Sequence, residues 1–265
     1  MSNIQLGHND CTLIVSSCDN YSDLWRPFFA LKERFWKDCS FRTILISETK
    51  DFSHDQVTTF LSGPNGSWSS NLRKAIEHAN TPYIILMLED FFLRSSVEND
   101  QVMDLYKHMI LRDINMLRLI PRPGPNVELN YDLNIGKVST DARYRASTQA
   151  AVWKSSVLLD LIIEDENIWS FEANGTIRSK LNVNFYSVIK PVLTYKHHVV
   201  ERGKWFPWEA WRFARLQIGV DLKSRKVMTF KESFYWLLIK STGLVWLKFP
   251  KKLRKSIKFF FNQFK

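Results

Sequence analysis

Residues 83–93 read YIILMLEDFFL. The apolar run from Tyr83 to Leu88 is the length and composition of a buried strand. Two acids, Glu89 and Asp90, close it, and two phenylalanines follow. Withdrawing a single unpaired carboxylate from water costs several kcal/mol, so a pair at the end of such a strand needs a partner.

The pieces around it fix the class of fold. CTLIVSSCDNY opens with the apolar run Thr12–Val15 and ends in small polar residues, a first strand with a polar loop at its carboxyl end. Residues 22–36 place Leu24, Phe28, Leu31 and Phe35 at helical spacing, with Pro27 near the first turn. FRTILISE reads as a second strand ending in Ser47 and Glu48, SGPNGS as a turn, and SSNLRKAIEHAN as a helix. After the third strand, QVMDLYKHMILRD is a helix, NMLRLI a strand and PRPGP a rigid loop. This alternation predicts an α/β domain with a mostly parallel central sheet flanked by helices. Ligands bind such sheets beyond the carboxyl ends of the strands, and the tips SSCDNY, ISE and LED all fall on that edge. Further on, RYRASTQAAVWKSSVLLDLI reads as a short strand or loop entering a helix. ENIWSFEANGTIRSK ends a helix or opens a loop at Asn174-Gly175. KPVLTYKHHVVERGKWFPWEA holds a last strand and a loop dense in Trp, His, Lys and Arg.

The net charge of +10 invites a nucleic-acid partner, but eight cations and no acid lie from Ser233 to Lys265, which leaves the rest of the chain at only +2. The sequence therefore divides into a near-neutral domain, 1–220, and a basic, aromatic-rich helical tail, 221–265, and nucleic acid is not the expected partner. The three cysteines, Cys11, Cys18 and Cys39, form no disulfide or zinc pattern and fit a reducing compartment. MSNIQLGHNDC has no basic n-region and no apolar h-region, so no signal peptide is expected. The mixture of Lys, Arg and aromatics in the tail is that of a segment lying on an anionic membrane surface, with a packed helix as the alternative.

Carboxylates beyond a strand suit Mg²⁺ or Mn²⁺ on a diphosphate, because hard cations take oxygen ligands; capping the strand and pairing with an arginine is the alternative. The order of pieces resembles the GT-A class of nucleotide-sugar glycosyltransferases, in particular small bacterial enzymes of capsule and lipopolysaccharide assembly. The resemblance covers roughly residues 10–210. SSCDNY stands where that class has its nucleotide loop, and WSSNLRKAIEHANTPYIILMLED where a helix precedes the metal-binding strand. Leu88-Glu89-Asp90 occupies the place of the usual Asp-X-Asp, so that Asp90 matches the metal position and Leu88 departs from it.

The resemblance implies a transferase moving a sugar, with UDP as the expected carrier, onto a glycan or lipid-linked acceptor. The enzyme would sit at the cytoplasmic, inner face of the cell membrane. Ser17, Asp19, Tyr21, Glu48, Arg73 and Glu89 are the expected donor-binding residues. In YKHHVVERGKW, His198 or its neighbour His197 is the expected metal-binding imidazole, and Arg202 and Lys204 around Gly203 the cations for the phosphates. Ser147, Thr148 and Gln149 are cleft-lining or helix-capping residues. Trp169 is a candidate sugar platform. Glu172, beside Asn174-Gly175, is the candidate catalytic base of an inverting transfer, with Glu166 behind it. A nucleotidyl- or phosphotransferase would use the same acids, but neither G-x-x-x-x-G-K nor G-x-G-x-x-G occurs.

Overall fold

The computed structural model describes residues 10–197 and 199–245, with side chains up to residue 237. Two compact units divide the chain, Met1–His197 and His198–Lys265. The division falls ahead of the composition break near residue 220.

The first unit is built on one sheet of nine strands in the order β3-β2-β1-β4-β9-β6-β10-β8-β7. Its strands are β1 (Cys11–Ser16), β2 (Arg42–Ser47), β3 (Val57–Leu61), β4 (Tyr83–Leu88), β6 (Met116–Arg118), β7 (Val127–Asn130), β8 (Ile135–Lys137), β9 (Ala151–Lys154) and β10 (Phe185–Val188). β1 pairs in parallel with β2 and β4, β2 with β3, and β6 with β10. β9 runs against both of its neighbours, β4 and β6, and β8 runs against β10 and β7. The sheet is thus mostly parallel, as the alternation of elements predicts. A two-residue pair, β5 (Phe92–Leu93) with β11 (Tyr195–Lys196), stands apart from it.

Helices cover both faces. Alternate residues of the central strands, Ile14, Ile44, Ile46, Ile84 and Leu86, share one buried cluster with Leu72 and Ile76 of α2 (Trp68–Ala79) and Leu158 and Leu161 of α4 (Ser155–Leu161). The intervening Leu13, Val15, Leu45 and Ile85 are equally buried and face the other side. There α3 (Asn99–Leu111) brings Tyr106 to 5.4 Å from Tyr83. α1 (Trp25–Phe35) is tied to the start of α3 by Trp36 Nε1 donating to Asn99 Oδ1 at 2.9 Å. Burial on both faces is why β1 and β4 read as continuous apolar runs rather than alternating ones. Ser67 caps α2, accepting from the Ser70 N–H at 3.1 Å, and Asn80 ends it in the left-handed conformation, φ 48°. Short helical pieces, α5 (Ile168–Ser170), a π-helical turn Phe171–Gly175 and α6 (Thr176–Arg178), lead towards β10.

The second unit holds the hairpin β12 (Val200–Glu201) and β13 (Lys204–Trp205), then α7 (Pro207–Ala214) and α8 (Phe230–Val245). Trp205 bridges to Val227, and Phe206 packs on Trp236 of α8 at 5.3 Å. Ser233 is buried, so the basic-aromatic segment begins as a packed helix. Its remainder, from residue 246, lies outside the described residues. No helix among the described residues is long and apolar enough to cross a membrane.

Candidate active site

β1, β2 and β4 are parallel, so their carboxyl ends share an edge. The first two loops there are locked together. The Asp19 carboxylate accepts from Ser47 Oγ at 2.7 Å, from the backbone N–H of Glu48 and Thr49 at 3.0 and 3.1 Å, and from the Thr49 hydroxyl. In return the Asp19 N–H donates to Glu48 Oε2 at 3.2 Å. Burial alone would raise the Asp19 pKa, but bonds from Thr49, Ser47 and the backbone outweigh it and hold the carboxyl far below its ordinary range. Asp19 is expected from the sequence as a donor-binding residue; its oxygens are instead filled by the protein, and it braces the loop. Ser17 is similarly engaged, accepting from Trp25 Nε1 at 2.8 Å. Tyr21 lies on the 3₁₀ turn Asp19–Leu24, its N–H bonded to the Cys18 carbonyl at 2.9 Å.

The charges of Glu48 and Glu89 both bear on Cys18. Burial first, then the charge of Glu89 and more weakly that of Glu48, raise the Cys18 thiol pKa. Glu89 is buried and Asp90 half-buried, in a tight turn closed by the Phe91 N–H on the Leu88 carbonyl at 3.1 Å. The chain then stacks Phe91 on Tyr195, ring centroids 4.4 Å apart. His197 follows β11 directly and lies 4.7 Å from Tyr195 and 5.8 Å from Phe91, so an imidazole stands beside the acidic turn. His198 lies outside the described residues.

The reversed strand β9 supplies the other side. Its amino end, Ala151, pairs with Leu86 near the carboxyl end of β4, so residues 147–150 reach the same edge. Thr148 donates both its N–H, at 2.9 Å, and its hydroxyl, at 2.8 Å, to Glu172 Oε1. Among the described residues, Oε2 of Glu172 receives no hydrogen bond. The Tyr195 hydroxyl accepts from the Ala150 N–H at 3.0 Å and donates to Gln149 Oε1 at 3.2 Å; burial, then the nearby Asp90 charge, pushes its pKa up. The Ser147 hydroxyl is buried with no hydrogen-bond partner among the described residues. Phe171, one residue before Glu172, packs on Trp68 at 5.1 Å, and Trp68 Nε1 donates to Ser16 Oγ at the end of β1, 2.9 Å away. Glu172 and the first strand tip are therefore joined through two aromatic rings.

Other expected residues are placed elsewhere. The Arg73 guanidinium caps the end of α4, donating to the carbonyls of Leu159 and Ile162 at 3.0 and 2.6 Å, and is committed to structure. Glu166 is a buried ion pair with Arg178 at 2.6 Å, further held by Asn174 at 2.9 Å. The Arg178 bonds lower its pKa. Arg202 and Lys204 belong to the hairpin of the second unit, where Arg202 and Gly203 form the turn at positive φ and Lys204 pairs with Glu232. Trp169 is 76% exposed.

The sequence reading missed Trp68, Tyr195 and Arg118. Arg118 is fully buried at the end of β6 and donates to the carbonyls of Pro123 and Arg145 at 2.6 and 2.8 Å. Burial lowers its pKa to about 10, against the opposing influence of Tyr195 and Glu172. A lone arginine inside the apolar run NMLRLI was the available signal.

No three His, Cys, Asp or Glu side chains gather into a metal-holding group among the described residues. The carboxylate oxygens of Glu89 and Asp90 are hard donors of the kind Mg²⁺ takes alongside substrate phosphates.

No protein-family model matches the sequence, and no curated protein matches it. Among solved structures, the chain is similar in fold to S. aureus TarS 1-349, with a TM-score of 0.50 at 12% identity over 83% of this chain and 67% of that one. Against the longer S. aureus TarS structure the TM-score is 0.48 at 14% identity, and the match spans 83% of this chain but only 40% of that one. The mannosyltransferase PcManGT from Pyrobaculum calidifontis, in complex with GDP-Man and Mn²⁺, aligns at 0.49 and 13% identity over 79% of this chain and 62% of that one.

Proposed function

We propose that this chain is a GT-A-type glycosyltransferase that moves a sugar from a nucleotide donor, with UDP as the carrier, to a hydroxyl of a glycan or lipid-linked acceptor in surface-polysaccharide synthesis, with inversion. One observation carries the reading. Glu172 is fastened through one oxygen by Thr148 while its other oxygen is left open, on the edge where Glu48, Glu89 and Asp90 also end. A carboxylate held this way is oriented to take a proton and has a free lone pair to take it with.

Glu48, on a loop that Asp19 keeps rigid, would meet the nucleoside together with Glu89. Glu89 and Asp90, with the imidazole of His197, would hold a divalent ion against the diphosphate; when bound, that ion neutralises the charge on the departing group. Glu172 Oε2 would accept the proton of the attacking hydroxyl, and Thr148 would keep the carboxylate from turning away. Arg202 and Lys204, the cations expected for the phosphates, belong to the second unit, where Lys204 pairs with Glu232. The basic segment from residue 221 would hold the enzyme at the inner membrane face, close to a lipid-linked acceptor.

A thermal-shift panel of UDP, GDP and their sugar nucleotides, with and without Mn²⁺, tests this. A ligand at a hundredfold its Kd adds about 2.7 kcal/mol of stability. Stabilisation by a nucleoside diphosphate that grows with Mn²⁺ is the expected result, and a panel without any shift would remove the donor site.

A further inference from the structure

α7 buries Glu209, Ala210 and Phe213. Its opposite face carries Trp208, Trp211, Arg212 and, at the C-cap, Arg215, which follow one another at i, i+3, i+4 and i+7. Both tryptophans are 61% exposed, and both arginines are exposed. The Arg215 guanidinium lies over the Trp211 ring at 4.4 Å. The surface continues onto α8, where Phe230, 6.1 Å from Trp208, is 76% exposed and Phe234 and Leu237 follow on the same side. Two helices thus present one aromatic surface edged with guanidinium groups.

Its charge setting is one-sided. Sixteen of the 37 Lys and Arg residues but only four of the 27 acids lie from residue 198 onward, so that stretch carries +12 and the first 197 residues carry −2. Glu209 is buried, and Glu232 is taken by Lys204 and Thr229. We infer that the Trp208–Trp211–Arg212–Arg215 face of α7, extended by Phe230 and Phe234, docks on an anionic lipid surface. Tryptophan rings settle at the headgroup level, where an apolar body and a polar N–H are both satisfied. The arginines reach outward to lipid phosphates while their stems cover the rings. This deepens the membrane part of the reading above and moves the anchor from the chain end to α7; it is independent of the transfer chemistry.

The test is co-sedimentation of the full chain with phosphatidylcholine vesicles, with and without phosphatidylglycerol. Full-length protein should pellet with the anionic vesicles. R212Q/R215Q should bind them roughly twentyfold more weakly, each cation at such a surface being worth about fivefold. W208S/W211S should lose about tenfold or more through lost apolar burial. Anionic binding that survives in both variants would overturn the inference in favour of the chain end, and absence of binding by the parent, or equal binding to neutral vesicles, would overturn it outright. Melting curves control for folding. If the tryptophan variant melts early, R212Q/R215Q, which alters only exposed ends, decides. The nucleotide thermal shift of each variant reads the transferase proposal separately, so failure of either is distinguishable.

Discussion

Thr148 gives two hydrogen bonds, one from its backbone and one from its side chain, to the same oxygen of Glu172. The arrangement fixes a carboxylate in one orientation while its second oxygen receives no hydrogen bond among the described residues. A surface acid needs no such clamp.

If Glu172 is the base, Glu172→Gln keeps the shape and the Thr148 bonds but removes the basicity. Sugar transfer should fall by about 10²–10⁴-fold, while nucleotide binding by thermal shift is unchanged. Full transfer in the Gln variant would end the assignment.

Thr148→Val keeps the backbone bond and loses the hydroxyl. As a positioning change it should lower kcat by about tenfold with little effect on donor KM, and Thr148→Ser should restore the rate. A Ser variant as slow as Val would show that the hydroxyl alone does not set the rate.

Asp90→Asn should abolish the Mn²⁺-dependent part of the nucleotide thermal shift and weaken donor binding by about tenfold or more. An unchanged Mn²⁺ response would take the metal away from this turn and leave the cations of the chain to stabilise the leaving group.

Asp19 predicts a pH dependence. Its folded pKa is depressed, so the carboxylate contributes stability that is present above the unfolded value, about 3.9, and is lost as pH falls through the folded value. Asp19→Asn should therefore melt below the parent at neutral pH, and the gap should narrow progressively below about pH 4. A gap independent of pH would show that shape, not charge, makes the brace.

Glu166 separates structure from chemistry. Glu166→Gln leaves the half-buried Arg178 guanidinium without its charge partner and should cost about 1–3 kcal/mol in urea unfolding. Transfer per folded molecule should stay near the parent rate. A folded but inactive Gln variant would return Glu166 to the catalytic centre.

How much of this was legible depends on what each residue is committed to. β1, β2 and β4 announce themselves because burial on both faces demands continuous apolar runs. β3 (Val57–Leu61) is half-exposed at the sheet edge, and β7 is exposed throughout, so neither carries that pattern. The acids at the strand tips were visible as types, but Asp19 and Glu48 look alike in sequence. Only folding reveals that the first is filled by its neighbours and the second accepts a single bond from it. Arg73 and Glu166 make the same point: their partners, two carbonyls at the end of α4 and the Arg178 guanidinium, are visible only in the fold. The Thr148–Glu172 clamp spans 24 residues and joins a loop to a π-helical turn, and no local periodicity encodes such a contact.

The reversal of β9 has a consequence for how such a site is able to change. Glu48, Glu89 and Asp90 hang on chain leaving parallel strands, whereas Thr148 and Gln149 sit on chain about to enter a strand that runs the other way. On the proposed reading, the two substrates are then served by separately encoded halves. On that reading, substitution of the half-buried Gln149 changes what is presented to the acceptor while the register of β1, β2 and β4, and with it the donor edge, stays in place. A fold organised this way can exchange acceptors repeatedly without having to reinvent its donor.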